Sequence, residues 1–259
     1  MVLTAFSTRA VLGIWGKGSS GGGRSGGAER RRKIAHREGE IKADSRASVR
    51  PARRPLRAPL ARALTCLEMA PIRIAAVVPV TEAEGPGARF AVWVQGCAIR
   101  CPGCCNPHMF DAEGGEAIEP EDLLARLDEV RGRVEGVTLL GGEPFEQAVA
   151  LVPFVRGARE RGLSVVAFSG YQIGALRRDR PPGARELLGE VDLLVDGPFL
   201  ASLPGSGRRW AGSDNQEFHF LTGRYSPGVE VVTAGEPERT VELRLGADGR
   251  LERSGWPER

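Results

Sequence analysis

Gly96-Cys97-Ala98-Ile99-Arg100-Cys101-Pro102-Gly103-Cys104-Cys105-Asn106-Pro107 places four of the chain's five cysteines within nine consecutive positions. Cys97, Cys101 and Cys104 make a CxxxCxxC spacing, and three thiolates on one short turning loop can each reach a different iron of a single cubane. A 4Fe-4S cluster normally takes four cysteine ligands, so a loop that supplies three leaves one iron with an open coordination site. Other uses of clustered thiols fit less well. A zinc ribbon needs two CxxC-type pairs separated by a loop, and the remaining cysteine, Cys66, stands far upstream. A ferredoxin-type carrier shows a CxxCxxCxxxCP run, whereas here the three-residue gap comes first and the motif occurs once. Disulfides are disfavoured because the adjacent Cys104 and Cys105 are poorly placed to pair and nothing marks the chain as secreted. Adjacent side chains leaving an ordered loop are also expected to diverge, which argues against Cys105 as a fourth ligand.

On the upstream side, Phe90, Val92 and Val94 alternate with smaller or polar neighbours from Arg89 onward, a strand running into the cysteine loop. The first cysteine therefore sits at the C-terminal end of a strand, where open α/β sheets and βα-barrels place their ligands. Downstream, Pro120-Glu121-Asp122 open a helix with Leu123, Leu124, Leu127 and Val130 on its buried face. Val137-Thr138-Leu139-Leu140 reads as a buried parallel strand ending in Gly141-Gly142-Glu143-Pro144. A helix from Phe145 to Arg161 with a kink at Pro153 follows. Leu163 to Phe168 is a third strand ending in Ser169-Gly170-Tyr171, and Val191 to Asp196 a fourth ending in Gly197-Pro198. Between these two strands the stretch from Arg177 to Pro182 breaks the helix, which resumes over Arg185 to Leu188. Strands interleaved with helices predict a parallel βαβ sheet of the α/β class.

The loop GCAIRCPGCCNP followed by Gly141-Gly142-Glu143-Pro144 resembles the radical S-adenosylmethionine (SAM) enzymes, and more narrowly their compact activating-enzyme type, such as the activators of anaerobic ribonucleotide reductase and pyruvate formate-lyase. The resemblance spans roughly residues 71–225 and implies an open, partial βα barrel. It implies that the open iron is chelated by SAM, which one electron cleaves to methionine and a 5'-deoxyadenosyl radical. Taken alone, the GGEP tetrapeptide is an ordinary strand-to-helix turn. Its place 37 residues after Cys104 matches the loop that contacts the SAM amino group, so the resemblance assigns Gly141, Gly142 and Glu143 to SAM. Ser169 matches a small-residue turn near the SAM methionine group, with Tyr171 a weaker match. Asp196 by itself reads as an Asp-Gly turn residue; the family's DxLVDG pattern over 192–197 implies a role beside the SAM ribose or methionine carboxylate. Asn215 and Gln216 match a Gly-Ser-x-Asn-Gln stretch, which departs from the family in having Ala211 where an arginine is common. Arg209 and Trp210, just before it, are candidates to bind a partner or cap the barrel.

Composition divides the chain near Met69. Residues 1–68 carry 15 basic and 5 acidic side chains, leaving 21 basic and 28 acidic for the rest, so the net charge of +3 conceals two segments of opposite sign. The first segment has a Gly/Ser tract, a basic run and a Pro/Arg stretch with little apolar periodicity, a composition that cannot bury a core. A nucleic-acid arm or an organellar presequence would share that composition. The reading adopted is that the native protein opens at Met69, so neither nucleic acid nor a membrane is expected as a partner and a cytoplasmic location is expected. The expected domains are a disordered segment over 1–68, a core over 69–225 and a C-terminal β extension over 226–259. In that extension Val229 to Val232 and Thr240 to Leu245 read as strands, with a hairpin turn at Gly246-Ala247-Asp248-Gly249. The three histidines show no metal-ligand spacing.

Taken together, these readings lead to the expectation of a 4Fe-4S, SAM-dependent enzyme that generates a glycyl radical on a partner glycyl radical enzyme, with flavodoxin or ferredoxin as electron donor. A core of about 190 residues leaves little material for a substrate-specific lid or a second cluster domain. The alternatives are a radical SAM maturase or biosynthetic enzyme acting on a peptide or small molecule, and a non-enzymatic electron-transfer module.

Overall fold

Continuous apolar runs bounded by glycine build the centre of the protein, because a strand buried on both faces has no polar side to show. In the computed structural model of the protein the described residues are 2–3, 70–205, 207–233, 240–245 and 251–255. Of segment 1–68 this covers only Val2–Leu3, strand β1; the rest of what was expected there lies outside the described residues. β2 (Ile72–Thr81) and β3 (Arg89–Val94) form an antiparallel pair that continues to a short β4 (Glu116–Ile118) on the far side of β2. After helix α1 (Pro120–Asp128) comes β5 (Gly136–Gly141), then helix α2 (Ala148–Glu160) and β6 (Ser164–Ser169). Two short helices, α3 (Ile173–Leu176) and α4 (Ala184–Leu188), lead to β7 (Leu193–Asp196) and β8 (Glu217–Phe220).

The seven strands lie in the order β4-β2-β3-β5-β6-β7-β8. The central four, β3, β5, β6 and β7, are mutually parallel, and β8 returns antiparallel to β7. The result is a mixed α/β sheet, mostly parallel at its centre, as the alternation of elements predicts. β2 is the longest strand, and its antiparallel place beside β3 is new relative to the sequence reading.

Side-chain alternation gives the sheet two unlike faces. Val92, Leu139, Ala167 and Leu194 point to one side, where they pack with Leu123 and Leu127 of α1 and Leu151, Phe154 and Val155 of α2. Phe90 and Phe154 meet there with ring centroids 6.3 Å apart. Truncating a fully buried Phe154 costs about 3–5 kcal/mol in such a core. Val78, Ala91, Trp93 and Leu140 point to the other side, with Phe168 and with Met109 of a short 3-10 helix, Pro107–Met109, against them; no α-helix contributes to that cluster among the described residues.

Helix boundaries follow local chemistry. Pro120 starts α1 with Glu121 and Asp122 in the first turn, where the missing proline N–H costs nothing and the acids oppose the helix dipole. The expected single helix over 145–161 is instead a 3-10 turn, Pro144–Gln147, followed by α2, which runs through Pro153 without ending there.

Beyond β8 the chain forms a hairpin of β9 (Val241–Leu245) and β10 (Leu251–Gly255), with β1 on the other edge of β9. The expected hairpin pairing is present, while its turn at 246–250 lies outside the described residues. Val229–Val232 is not a strand; only an isolated bridge joins Val231 to Arg208. No helix among the described residues is long and apolar enough to cross a membrane.

Candidate iron-sulfur and cofactor site

β3 ends at Val94, and the next residues close a loop on themselves. Gly96, at φ 93°, donates its N–H to Met109 O at 2.9 Å, and Cys97 N–H reaches Phe110 O at 3.3 Å. Gln95 clamps the returning end by donating from Nε2 to Asp111 O (2.7 Å) and His108 O (3.3 Å). Within the loop Arg100 and Gly103 adopt φ of 50° and 78°, and Cys104 N–H bonds Cys101 O at 3.1 Å. Three sharp changes of direction in eight residues turn Cys97, Cys101 and Cys104 toward one cavity, each half-buried and free.

Burial pushes the Cys97 thiol up. Cys104 is held down to about 6, first by a hydrogen bond from Cys105 and further by the Asn106 N–H 3.4 Å from its sulfur, so it favours the thiolate that metals bind. Cys105 is pushed up by the same contact. The expected divergence of these two neighbours therefore does not occur: in a turning backbone successive side chains need not leave on opposite sides, and both line the cavity.

The second loop, Gly141-Gly142-Glu143-Pro144, lies against the first. A Cβ on Gly141 (φ 102°) would lie 2.8 Å from Trp93 Cα, and one on Gly142 would lie 2.2 Å from Gly96 O. Only glycine allows β5 to approach β3 so closely. Gly142 N–H bonds Val94 O and Glu143 N–H bonds Gly96 O, each at 2.8 Å. Glu143 is 1% exposed. Its Oε1 accepts from Phe145 N–H and Ser169 Oγ, both at 3.0 Å, and its Oε2 from Gly170 N–H at 2.8 Å. Burial outweighs those donors and raises its pKa to about 7. Both carboxylate oxygens are thus used in tying the β5 loop to the β6 loop.

Glu146, Gln147 and Gln95 were not singled out in the sequence. Glu146 accepts from Ala98 N–H at 3.0–3.1 Å and from Tyr171 OH at 2.8 Å, which places Tyr171 in the site's framework. Gln147 Nε2 donates to Gln95 O (2.8 Å) and Arg73 O (2.9 Å). Their signal is only their position, one turn after the GGEP loop and one residue before the cysteine loop.

Ser169 and Asp196 are register partners on β6 and β7. Both share the parity of Ala167 and Leu194; Ser169 nonetheless lines the cavity, whereas the Asp196 carboxylate is engaged with α3 and β8. There Oδ2 accepts a short hydrogen bond from Ile173 N–H, and Oδ1 lies 3.0 Å from His219 Nε2. Gly197, the next residue, lines the cavity while the Asp196 carboxylate does not. Donor atoms of Asp196, Glu217 and His219 lie within 4.8 Å of one another, although the sequence spacing gave no hint of it.

The cavity measures about 940 Å³. Its floor is that second face of the sheet, Val78, Trp93, Leu140 and Phe168, and its walls include the cysteine loop, the Gly141–Glu143 and Ser169–Gly170 loops and 208–212. Trp210 stands there at φ 63°, an outlier for a bulky side chain. Gln216 closes that wall, its Oε1 accepting from Gly212 N–H (2.7 Å) and its Nε2 donating to Gly197 O (3.1 Å). Asn215 Nδ2 donates to Pro198 O at 2.8 Å.

A thiol triplet at the C-terminal edge of a parallel sheet, opening on a cavity of cofactor size, defines an iron-sulfur protein, and residues 83–219 match the family described as 4Fe-4S single cluster domain. The chain is 31% identical to the anaerobic ribonucleoside-triphosphate reductase-activating protein of Salmonella typhi over 151 residues, 55% of this chain and 95% of that one. It is 30% identical to the same-named proteins of Escherichia coli K12 (152 residues, 95% of that chain) and Enterobacteria phage T4 (148 residues, 88% of that chain). The protein belongs to this family, the compact activating-enzyme type of the radical SAM superfamily. Among solved structures, QueE from Escherichia coli aligns over 39% of this chain and 53% of its own at 20% identity and a TM-score of 0.32, a likeness too distant to add to the argument.

Proposed function

We propose that Cys97, Cys101 and Cys104 hold a 4Fe-4S cluster, that the protein cleaves SAM reductively, and that the 5'-deoxyadenosyl radical takes a hydrogen atom from a glycine of a partner ribonucleotide reductase. The observation that carries this reading is that three half-buried thiols and the glycine-lined end of β5 open on one cavity. The donor set suits the group: three thiols, one of them kept low in pKa, on a loop cross-braced by Gln95, Glu146 and Gln147. When bound, the cluster supplies the electron for cleavage.

The chain's own residues hold and orient. Gly141 and Gly142 bring the end of β5 against β3 and the cysteine loop, so that the backbone there would meet the SAM methionine group, with the Ser169 hydroxyl beside it. Glu143 keeps the two loops in register through Ser169 and Gly170, so its contribution to SAM runs through the backbone it fixes. Asp196 acts one step further back, anchoring the start of α3 and thereby the segment after Gly170. In this reading the sheet curls as a partial barrel around the cavity, residues 69–225 form the working core, and a cytoplasmic flavodoxin or ferredoxin provides the electron. The names of the relatives support a reductase as the partner.

The test is anaerobic reconstitution with iron and sulfide, followed by reduction with SAM present. Formation of 5'-deoxyadenosine and a glycyl radical signal in a co-incubated anaerobic reductase are the expected results. Absence of 5'-deoxyadenosine from cluster-loaded protein would overturn SAM cleavage. Deoxyadenosine without a glycyl signal in any reductase would shift the assignment to a maturase acting on a peptide or small molecule.

A further inference from the structure

On the face of β7 and β8 that carries Leu194, the sheet brings together three donors that do not line the cysteine cavity. Asp196 and Glu217 stand directly opposite each other in the antiparallel ladder, and His219 stands opposite Leu194. Side chains two apart on a strand share a face, so all three project from one side of the strand pair. His219 Nε2 lies 3.0 Å from Asp196 Oδ1 and 3.9 Å from Glu217 Oε2, and the donor atoms of the three residues all fall within 4.8 Å of one another.

An ordinary Asp–His hydrogen bond would account for the first distance, but none forms. Nε2 is closed off from solvent and takes part in no hydrogen bond, while Asp196 is 3% exposed and receives the Ile173 N–H on its other oxygen, Oδ2. A neutral imidazole carries a lone pair on one ring nitrogen, and a lone pair aimed between two carboxylates repels them unless a cation lies there. We propose that Asp196, Glu217 and His219 hold a first-row divalent cation, with Asp196 Oδ1, His219 Nε2 and one Glu217 carboxylate oxygen as its protein ligands. Bonds of about 2.1 Å to such an ion set neighbouring ligands roughly 3–3.5 Å apart, and the Asp196–His219 spacing already meets that demand. Glu217 closes the remaining gap by moving only its own side chain, which is 75% exposed, and that open flank leaves room for water to complete the shell. An imidazole with two carboxylates suits manganese, iron or zinc. The ion ties β7 to β8 and, through Asp196, to the start of α3. This site is separate from the cysteines and does not rest on the proposed function.

The test titrates Mn2+, an ion suited to carboxylate ligands, into the full chain isolated anaerobically, following the room-temperature electron paramagnetic resonance of free Mn2+. One Mn2+ per chain should bind saturably, and His219→Gln should abolish that binding. Glu217→Gln changes an exposed side chain and should weaken binding at least about tenfold, because ligand charge tunes such affinities over orders of magnitude. Mn2+ should also raise the thermal midpoint of the wild type by mass action and leave that of His219→Gln unmoved, at equal iron content in all three proteins. Absence of saturable binding would overturn the site. Binding that survives both substitutions would place the ion on other carboxylates and overturn it equally. A lowered midpoint in His219→Gln with no effect of Mn2+ on the wild type would leave a plain Asp–His pair in its place.

Discussion

The two ends of the parallel strands treat polar groups in opposite ways. At the N-terminal edge, Arg89 is fully buried and donates to Val137 O (2.5 Å), Ser164 Oγ (2.7 Å), Tyr225 OH (2.9 Å) and Thr138 Oγ1 (3.1 Å). Every one of those partners is neutral, and burial lowers the Arg89 pKa. Asp192 beside it accepts from Val165 N–H and Thr222 Oγ1, each at 2.7 Å, and from Arg159 at 3.2 Å. At the C-terminal edge, Gly96, Gly141 and Gly197 all take positive φ, and thiols and backbone face a cavity. One edge spends its polar groups on itself and closes; the other holds its framework with Gln95, Glu143 and Glu146 and leaves the thiols outstanding. Substitutions at the first should cost stability and at the second should cost chemistry.

The sharpest way to break that contrast is at the cysteines. Replacing Cys97, Cys101 or Cys104 singly by alanine should reduce bound iron to background after anaerobic reconstitution, while the urea midpoint of cluster-free protein barely moves. A large loss of cluster-free stability would place these residues in the structural class instead. Next in size, Arg89→Met should lower unfolding free energy by at least about 3 kcal/mol, since several buried acceptors lose their donor together. Iron bound per folded molecule should stay constant, as measured by denaturation beside iron analysis.

Glu143 sharpens the comparison because it belongs to the second edge but is buried like the first. Its pKa is raised from 4.5 to about 7 by burial, so the folded state holds this proton more tightly than the unfolded chain. The stability it contributes is full below about pH 4.5 and is lost as pH rises toward 7, a change on the order of 3 kcal/mol. Glu143→Gln should flatten that part of the stability profile of cluster-free protein while also weakening the tie to Gly170. Urea titrations at pH 5 and pH 8 check both, and an unchanged pH slope would refute the assignment. The smallest effect belongs to Cys105→Ser: iron content should match the wild type, because three other thiols already supply the donor set. Loss of iron in this variant alone would mean four cysteine ligands and no open iron.

Part of this was legible from the chain alone. The CxxxCxxC spacing of Cys97, Cys101 and Cys104, the strand before them, the Gly141-Gly142 strand end and the Pro120 helix start are all local signals. Asp196 shows where legibility stops. Leu193-Leu194-Val195 is apolar on both faces because the strand is buried on both, so no alternation says which side the aspartate faces, and only packing turned it toward α3 and His219. Glu143 likewise carried its motif in the sequence but not its use, since Ser169 and Gly170, which engage both its oxygens, are 26 and 27 residues away. Arg89 read as the first residue of a strand, and its burial came from Ser164 and Tyr225, 75 and 136 residues downstream. The docking of β9–β10 on Val80–Glu84 was likewise decided by a long-range contact, Gly255 to Glu84 across 171 residues. What the sequence determined by itself is the chemistry of its short-range donors, because those few residues define their own geometry. What the tertiary structure alone decided is which carboxylates and glycines serve as framework and which face the cavity, because that depends on partners distant in the chain.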